Sequence, residues 1–356
     1  MPGSDAVSGA VLPSRSRVSS PDVLGPVVLT SCAGWTLASA VGHEAARPEG
    51  VLLALLAVAA GFAAGRVAGA LLPTVAPAAA AVAVGLVVAA TPGALSGDPL
   101  APPLHYGNAD GALLALGVGA ACCAAWSARG IRVRAALLAL GAVLAGLNLL
   151  VGSAAAFATS VATLLVSCAA ARSRRRGPLL VVLALCAALA GCGTVALARG
   201  HVPAALQRHA VAQLSERRLE LWGDALDQVG RHPLRGVGPD RFAEQSPTAR
   251  ADQDTTKTHS AALQQAAEQG LPGLALLICA FLWTLWSLAR SPRPTAVALS
   301  AAVALTGLAV HATIDYVLSF AAVTVGAGLL LGMATARPLT EEDSGAGHGR
   351  PEVAPA

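Results

Sequence analysis

The chain has 356 residues, of which 55% are hydrophobic and only 12% charged, with a mean hydropathy of +0.63 and a formal net charge of +4. Soluble domains carry about 25% charged residues, so a soluble globular protein is excluded, and the basic residues sit at the edges of apolar stretches, which argues against a nucleic-acid binder. The ten-residue alternation of an outer-membrane barrel is missing, which leaves helices as the spanning elements.

Residues 1–22 are polar and carry Arg15 and Arg17. They are expected to form a disordered cytoplasmic tail, without the small-residue cleavage site of a signal peptide. About ten apolar windows follow, at 24–42, 51–71, 74–91, 110–127, 135–151, 153–171, 178–198, 271–289, 295–313 and 317–335. A helix needs about 20 residues to cross a hydrocarbon core of about 30 Å. The expected fold is therefore all-α, a polytopic transmembrane helical bundle. The windows divide into N-terminal helices (23–198), a large polar loop (199–270) and C-terminal helices (271–336), followed by a disordered tail (337–356). The seven cysteines all lie in apolar stretches, so no disulfide framework is expected.

Basic clusters set the orientation. Arg15 and Arg17, Arg129 to Arg134, Arg172 to Arg176, Arg290 and Arg293, and Arg337 all fall on one side of a ten-span chain. Taking that side as the cytoplasm puts both termini inside a cytoplasmic membrane. The His43–Glu44 turn, residues 92–109 and the polar segment then lie outside.

Chemistry is expected in that segment. Apolar residues at three- and four-residue spacings, among them Val211, Leu214, Leu219, Trp222 and Val229, predict an amphipathic helix over about 203–229. A turn at 233–239, a loose stretch at 243–257 and a short helix from His259 to Gly270 follow, with Thr258 as its candidate N-cap. Arg218 lies four residues before Trp222, on the same helix face. A guanidinium at a membrane surface suits a diphosphate, because its fork bonds two oxygens at once. Its rivals are Arg217 and a plain solvated role. Gly236 and Gly238 make a tight turn whose N–H groups could cradle phosphate, or could simply punctuate a loop. Arg241 follows as a second cation, with Arg235 and Arg250 as competitors. At a helix start, the dipole disfavours imidazolium, so His259 reads as a neutral general base or an ordinary surface histidine. Glu268 falls near the opposite face of the same helix, more suited to anchoring a loop or an arginine. His311 and Asp315 sit at the outer end of one span beside Tyr316. Tyr106, Asn108 and Asp110 form another outward polar cluster. No zinc-protease spacing, G-x-S-x-G or Walker pattern occurs, so neither a metal nor a cofactor is expected.

These residues resemble the O-antigen ligase / O-antigen polymerase superfamily. The resemblance is carried by Arg218 to Trp222 (RLELW), His232 to Phe242 (HPLRGVGPDRF), Thr258 to Ser260 (THS) and Glu268 to Gly273 (EQGLPG), in that order inside one outer loop. Two departures stand out: Ser260 replaces the usual Asn, and the spans are about two fewer than the commoner twelve. The resemblance implies a GT-C-like bundle and a metal-independent glycosyltransferase of the cell envelope. Such an enzyme moves a glycan from a carrier such as undecaprenyl pyrophosphate to an acceptor hydroxyl on a glycan, lipid or protein. It places Arg218 on the pyrophosphate and His259 on the acceptor hydroxyl. Arg241 is a second phosphate contact, and Gly236, Gly238, Trp222, His311 and Asp315 complete the substrate-binding set. The alternatives are a transporter or lipid-linked glycan flippase, which would need charges near the bilayer midplane and a repeat, and a non-catalytic scaffold for glycan assembly.

Overall fold

The computed structural model describes residues 20–91, 104–173, 175–251 and 257–337, and all its regular elements are helical. Seven helices precede the polar segment: α1 (Ser20–Ala40), α2 (Glu49–Leu71), α3 (Val75–Ala90), α4 (Gly107–Ser127), α5 (Ile131–Leu150), α6 (Ala154–Ala170) and α7 (Gly177–Ala198). The segment itself holds α8 (Ala204–Leu214), α9 (Glu216–Arg231), α10 (Phe242–Gln245) and α11 (Pro247–Arg250). Then come α12 (Ala261–Ala289), α13 (Thr295–Ile314), a 3-10 turn (Val317–Ser319) and α14 (Ala321–Thr335). Every expected apolar window is a helix. Seven of them are long and apolar enough to cross a membrane alone, while α3, α6 and α14 are shorter. The chain is a polytopic helical membrane protein. The expected tail boundary at residue 22 is too late, because α1 starts at Ser20. Arg15, Arg17, most of both tails, part of the 92–109 connection and residues 252–256 lie outside the described residues.

The centre of the bundle is α4 and α13, which are buried over most of their length, whereas α2, α5 and α7 are largely exposed. Almost every residue of α4 from Gly111 to Ala125 is Gly, Ala, Leu, Val or Cys, small enough to admit neighbours on all sides. The closest approach is between α2 and α14. A Cβ on Gly61 or Gly65 would come within 2.3 Å of the Val325 or Leu329 carbonyl, and one on Gly328 or Gly332 within 2.3 Å of the Val58 or Phe62 carbonyl. Lipid-side association lacks a hydrophobic driving force, so backbone contact at small residues four apart holds such a pair.

The arginine-rich connections gather at one end. Arg176 donates to the carbonyls of Ser291 (2.7 Å), Leu288 (3.4 Å) and Arg293, and to the Thr295 hydroxyl. Arg293 reaches the Pro73 carbonyl and the Ser127 hydroxyl. Arg66 bonds the Thr335 carbonyl at 2.6 Å and pairs with Asp22, which also pairs with Arg337. The polar segment caps the other end, over its own small core of Leu219, Leu221, Trp222, Ala225, Phe242, Leu263 and Ala267.

Within that segment three expectations need correction. The amphipathic stretch is two helices, because Ser215 adopts φ 73° between α8 and α9 and its Oγ caps α9 by accepting the Arg218 N–H. The stretch expected to be loose over 243–257 is helical in its first part, with α10 and α11 up to Arg250 and Ser246 capping α11. The short helix does not begin at His259 or end at Gly270. It begins at Ala261 with Ser260 as N-cap (Oγ accepts the Leu263 N–H) and runs on as α12 through a kink at Gly270 (φ 71°).

That kink explains two of the sequence motifs together. Pro272 has no N–H, so the Glu268 carbonyl lacks its usual helical partner. The Gly238 N–H takes it at 2.9 Å. The Leu271 N–H turns away to the Pro233 carbonyl, and the Ala267 carbonyl is taken by the Val237 N–H. A Cβ on Gly270 would meet the Leu234 carbonyl at 2.4 Å, and one on Gly236 the Glu268 backbone at 2.3 Å. The glycine–proline turn and the entry to the span are thus each other's hydrogen-bond partners.

Candidate functional site

Asp315 ends α13, and its carboxylate, 1% exposed, is the point on which the site converges. Tyr106, just before α4, donates its hydroxyl to both oxygens (2.7 and 2.9 Å). Asn108, in the first turn of α4, donates to Oδ2 at 2.6 Å, and its own Oδ1 accepts from Ser153 at 2.9 Å. The Tyr316 N–H adds 2.7 Å to Oδ1. Two side chains from the polar segment approach the same group. Arg218 Nη2 lies 3.6 Å from Oδ2, and His259 Nδ1 lies 3.7 Å from Oδ1. Burial pushes the Asp315 carboxyl up, but His259, the Arg218 charge and the Tyr106 hydroxyl outweigh it and hold it below the ordinary carboxylate range. The Tyr106 phenol is pushed well above its usual value, first by burial and then by the Asp315 charge, so it remains a donor.

The distances separate two kinds of partner. The neutral donors sit at charge-assisted hydrogen-bond length, while all contacts of the Arg218 guanidinium are long: 3.4 Å to the Tyr106 hydroxyl, 3.5 Å to the Ile314 carbonyl and 3.6 Å to Asp315. Charge-assisted N–H···O bonds are about 2.7–2.9 Å. The arginine is oriented and not saturated, with 22% of its side chain open. His259 is similar. Its Nδ1 is buried without a hydrogen-bond partner among the described residues, its ring stands edge-on to Tyr316 at 4.9 Å, and 21% of the side chain is open.

Trp222 and Ser260 set the imidazole from the backbone side. The Trp222 indole N–H donates to the His259 carbonyl at 3.3 Å, and His259 itself takes φ 52°. That left-handed backbone is uncommon for a side-chain-bearing residue. It is fixed from the far side by Ser260, whose N–H bonds the Thr258 hydroxyl at 3.1 Å, and by the Ala261 N–H bonding the Asp315 carbonyl at 3.1 Å. Asn and Ser are both favoured N-caps, so Ser260 performs at the helix start a task open to Asn. Nδ1 lies beside the Asp315 carboxylate, and His259 precedes the helix start at Ala261 instead of opening it.

Sequence reasoning placed Arg218, His259, Asp315, Tyr106 and Asn108 correctly at one end of the bundle, and the fold brings them together. Other expected substrate contacts are elsewhere. Trp222 is fully buried and touches His259, so it supports the site from behind. His311 is 3% exposed in the last turn of α13. Asp315 is 1% exposed, beneath Arg218 and His259. The N–H groups of Gly236 and Gly238 are consumed by the His232 and Glu268 carbonyls, so they form no phosphate cradle. Arg241 pairs with Glu244 at 2.9 Å in its own loop and not with the cluster around Asp315. Glu268 does anchor a loop: it accepts from Gln264 at 3.1 Å and from the Asp240 backbone. Ser153 and the Ser215 cap went unnoticed in the sequence, because a lone serine carries no signal of its own. Among the described residues, no trio of His, Cys, Asp or Glu is arranged to hold a metal ion.

An arginine and a histidine thus stand beside one buried carboxylate at the polar end of a multi-pass helical membrane protein. Residues 149–278 match the family model for O-antigen ligase, a stretch that runs from the end of α5 across α9 and the glycine turn into α12. That stretch is similar to the O-antigen ligase family, in line with the motifs it contains. No curated relative matches the chain.

Proposed function

We propose that this protein is a glycosyltransferase that moves a glycan from a polyprenyl-pyrophosphate carrier to an acceptor hydroxyl, on the outer face of the cytoplasmic membrane and without a metal ion. The observation that carries this reading is the shared carboxylate: Asp315 holds Arg218 and His259 side by side, each partly open, with neither strongly bonded to it. Arg218 binds the diphosphate, for which a planar fork and permanent charge are suited. His259, oriented through Nδ1, takes the proton of the acceptor hydroxyl on its other ring nitrogen. The acceptor oxygen bonds the anomeric carbon as the carbon–oxygen bond to the diphosphate breaks. The proton goes to the imidazole, and the electron pair leaves with the carrier diphosphate, whose growing charge Arg218 offsets. The gathering of arginine-rich connections at the opposite end supports the outward orientation, with that basic end in the cytoplasm.

The test is complementation of a deletion strain with Arg218→Ala and His259→Ala, with membrane level checked by a tag and surface glycan read on gels. Loss of glycan in both at normal protein level is the expected result. Wild-type glycan in both would end the proposal.

A further inference from the structure

At the basic end, remote from the site above, a cavity of about 190 Å³ opens between α1, α2, α12 and α14. Arg66, Arg290, Arg337, Asp22, Ser287 and Phe62 are on its wall. Among the described lining residues, Arg66, Arg290 and Arg337 face the single carboxylate of Asp22. Asp22 is shared by Arg66 (3.3 Å) and Arg337 (3.6 Å). Arg290 sits over Trp286 with its guanidinium carbon 4.5 Å from the ring centroid, and it has no carboxylate partner among the described residues. The second observation is Ser287. It is 5% exposed, and its hydroxyl has no hydrogen-bond partner among the described residues, although a helical serine can ordinarily bond the carbonyl four residues back. A buried hydroxyl left unpaired is destabilising, and a bound acceptor would satisfy it. Beside the cavity, Val23, Leu24 and Val27 of α1 and Val67 of α2 present exposed apolar surface.

We infer that this cavity binds a phosphate group, and that its position beside a lipid-facing apolar strip suits the phosphate of an anionic phospholipid. Arg290 and Arg66 contact the phosphate oxygens and Ser287 donates its hydroxyl. Clusters of basic residues between spans at a membrane surface recognise anionic headgroups in this way. The site stands apart from the proposed transfer reaction and does not rest on it.

The full-length protein, purified in detergent, is titrated with phosphatidylglycerol, phosphatidylcholine or inorganic phosphate. Bound lipid is read by native mass spectrometry and thermal stability by intrinsic fluorescence. Phosphatidylglycerol is expected to bind and stabilise, with phosphatidylcholine at least several-fold weaker. Arg290→Gln, which breaks no ion pair, is expected to weaken phosphatidylglycerol about tenfold, and Ser287→Ala by a smaller factor. Stabilisation by inorganic phosphate alone, lost in Arg290→Gln, would keep the phosphate site and assign its source to free phosphate. Equal binding of the two lipids by wild type, or unchanged phosphatidylglycerol and phosphate binding in Arg290→Gln, would overturn the inference.

Discussion

Replacing Tyr106 by Phe removes a single oxygen and keeps the ring, which stacks on Tyr316 at 4.8 Å and on Phe320 at 5.7 Å. That oxygen donates to both Asp315 oxygens and accepts from Arg218. A hydrogen bond to a charged group is worth about 1.5–3 kcal/mol, and Asp315 is too buried for water to replace it. The Asn108 amide and the Tyr316 N–H remain, so the carboxylate is under-satisfied and not abandoned. About 2 kcal/mol of stability is therefore at stake. The remaining groups able to close on the carboxylate are the arginine and the imidazole now resting at 3.6 and 3.7 Å. Each step toward Asp315 takes them from substrate. If the same 2 kcal/mol appears in the transfer step, the rate falls about 30-fold, since each 1.36 kcal/mol is a factor of ten. The assay is glycan transfer in membranes normalised to protein level, with thermal unfolding in detergent beside it. The double variant with Asn108→Ala should lose more than the sum of the two single changes, because both amide and hydroxyl serve one acceptor. A Tyr106→Phe protein with wild-type transfer and wild-type unfolding would refute the idea that Asp315 organises the site.

Other outcomes follow from the same geometry. Ser260→Ala should cost about 1 kcal/mol of stability through loss of the cap, while Ser260→Asn should keep both stability and transfer; thermal unfolding and the glycan assay separate the two. Asp315 has a depressed pKa, so its ion pairing stabilises the fold fully above the ordinary carboxylate value of 3.8, and that contribution is lost as pH falls through the lower folded value. The unfolding-temperature gap between wild type and Asp315→Asn should be flat from pH 7 to about 5 and close only below about 4. Gly270→Ala puts a Cβ 2.4 Å from the Leu234 carbonyl at φ 71° and should cost about 3 kcal/mol or more, read as loss of folded protein in the membrane.

The apolar spans were legible because each is a long run of hydrocarbon, and a bilayer leaves helix as the only solution. The break at Ser215 was not, since the apolar stripe continues from Val211 and Leu214 to Leu219 across it; only the φ of one residue divides the helices. Thr258 and Ser260 are both capable caps, and the choice is made by a distant group, the Asp315 carbonyl that holds the Ala261 N–H. The glycine turn was readable as a turn. Whether its N–H groups faced a ligand or the protein depended, for Gly238, on the Glu268 carbonyl thirty residues later, freed by Pro272. Arg218 and His259 could be picked out by residue type and by family resemblance, but their meeting on one carboxylate is a property of three packed elements and not of spacing.

The glycine-lined seam between α2 and α14 has a consequence for biogenesis. Arg66 and the Thr335 carbonyl that it grips are 269 residues apart in the chain, so one of the first spans to enter the membrane has no permanent neighbour on that face until almost the last has been made. During synthesis its grooved surface lies against lipid or against an insertion chaperone. A ribosome stalled before α14 would leave behind a half-ring with an open slot, a natural mark for membrane quality control.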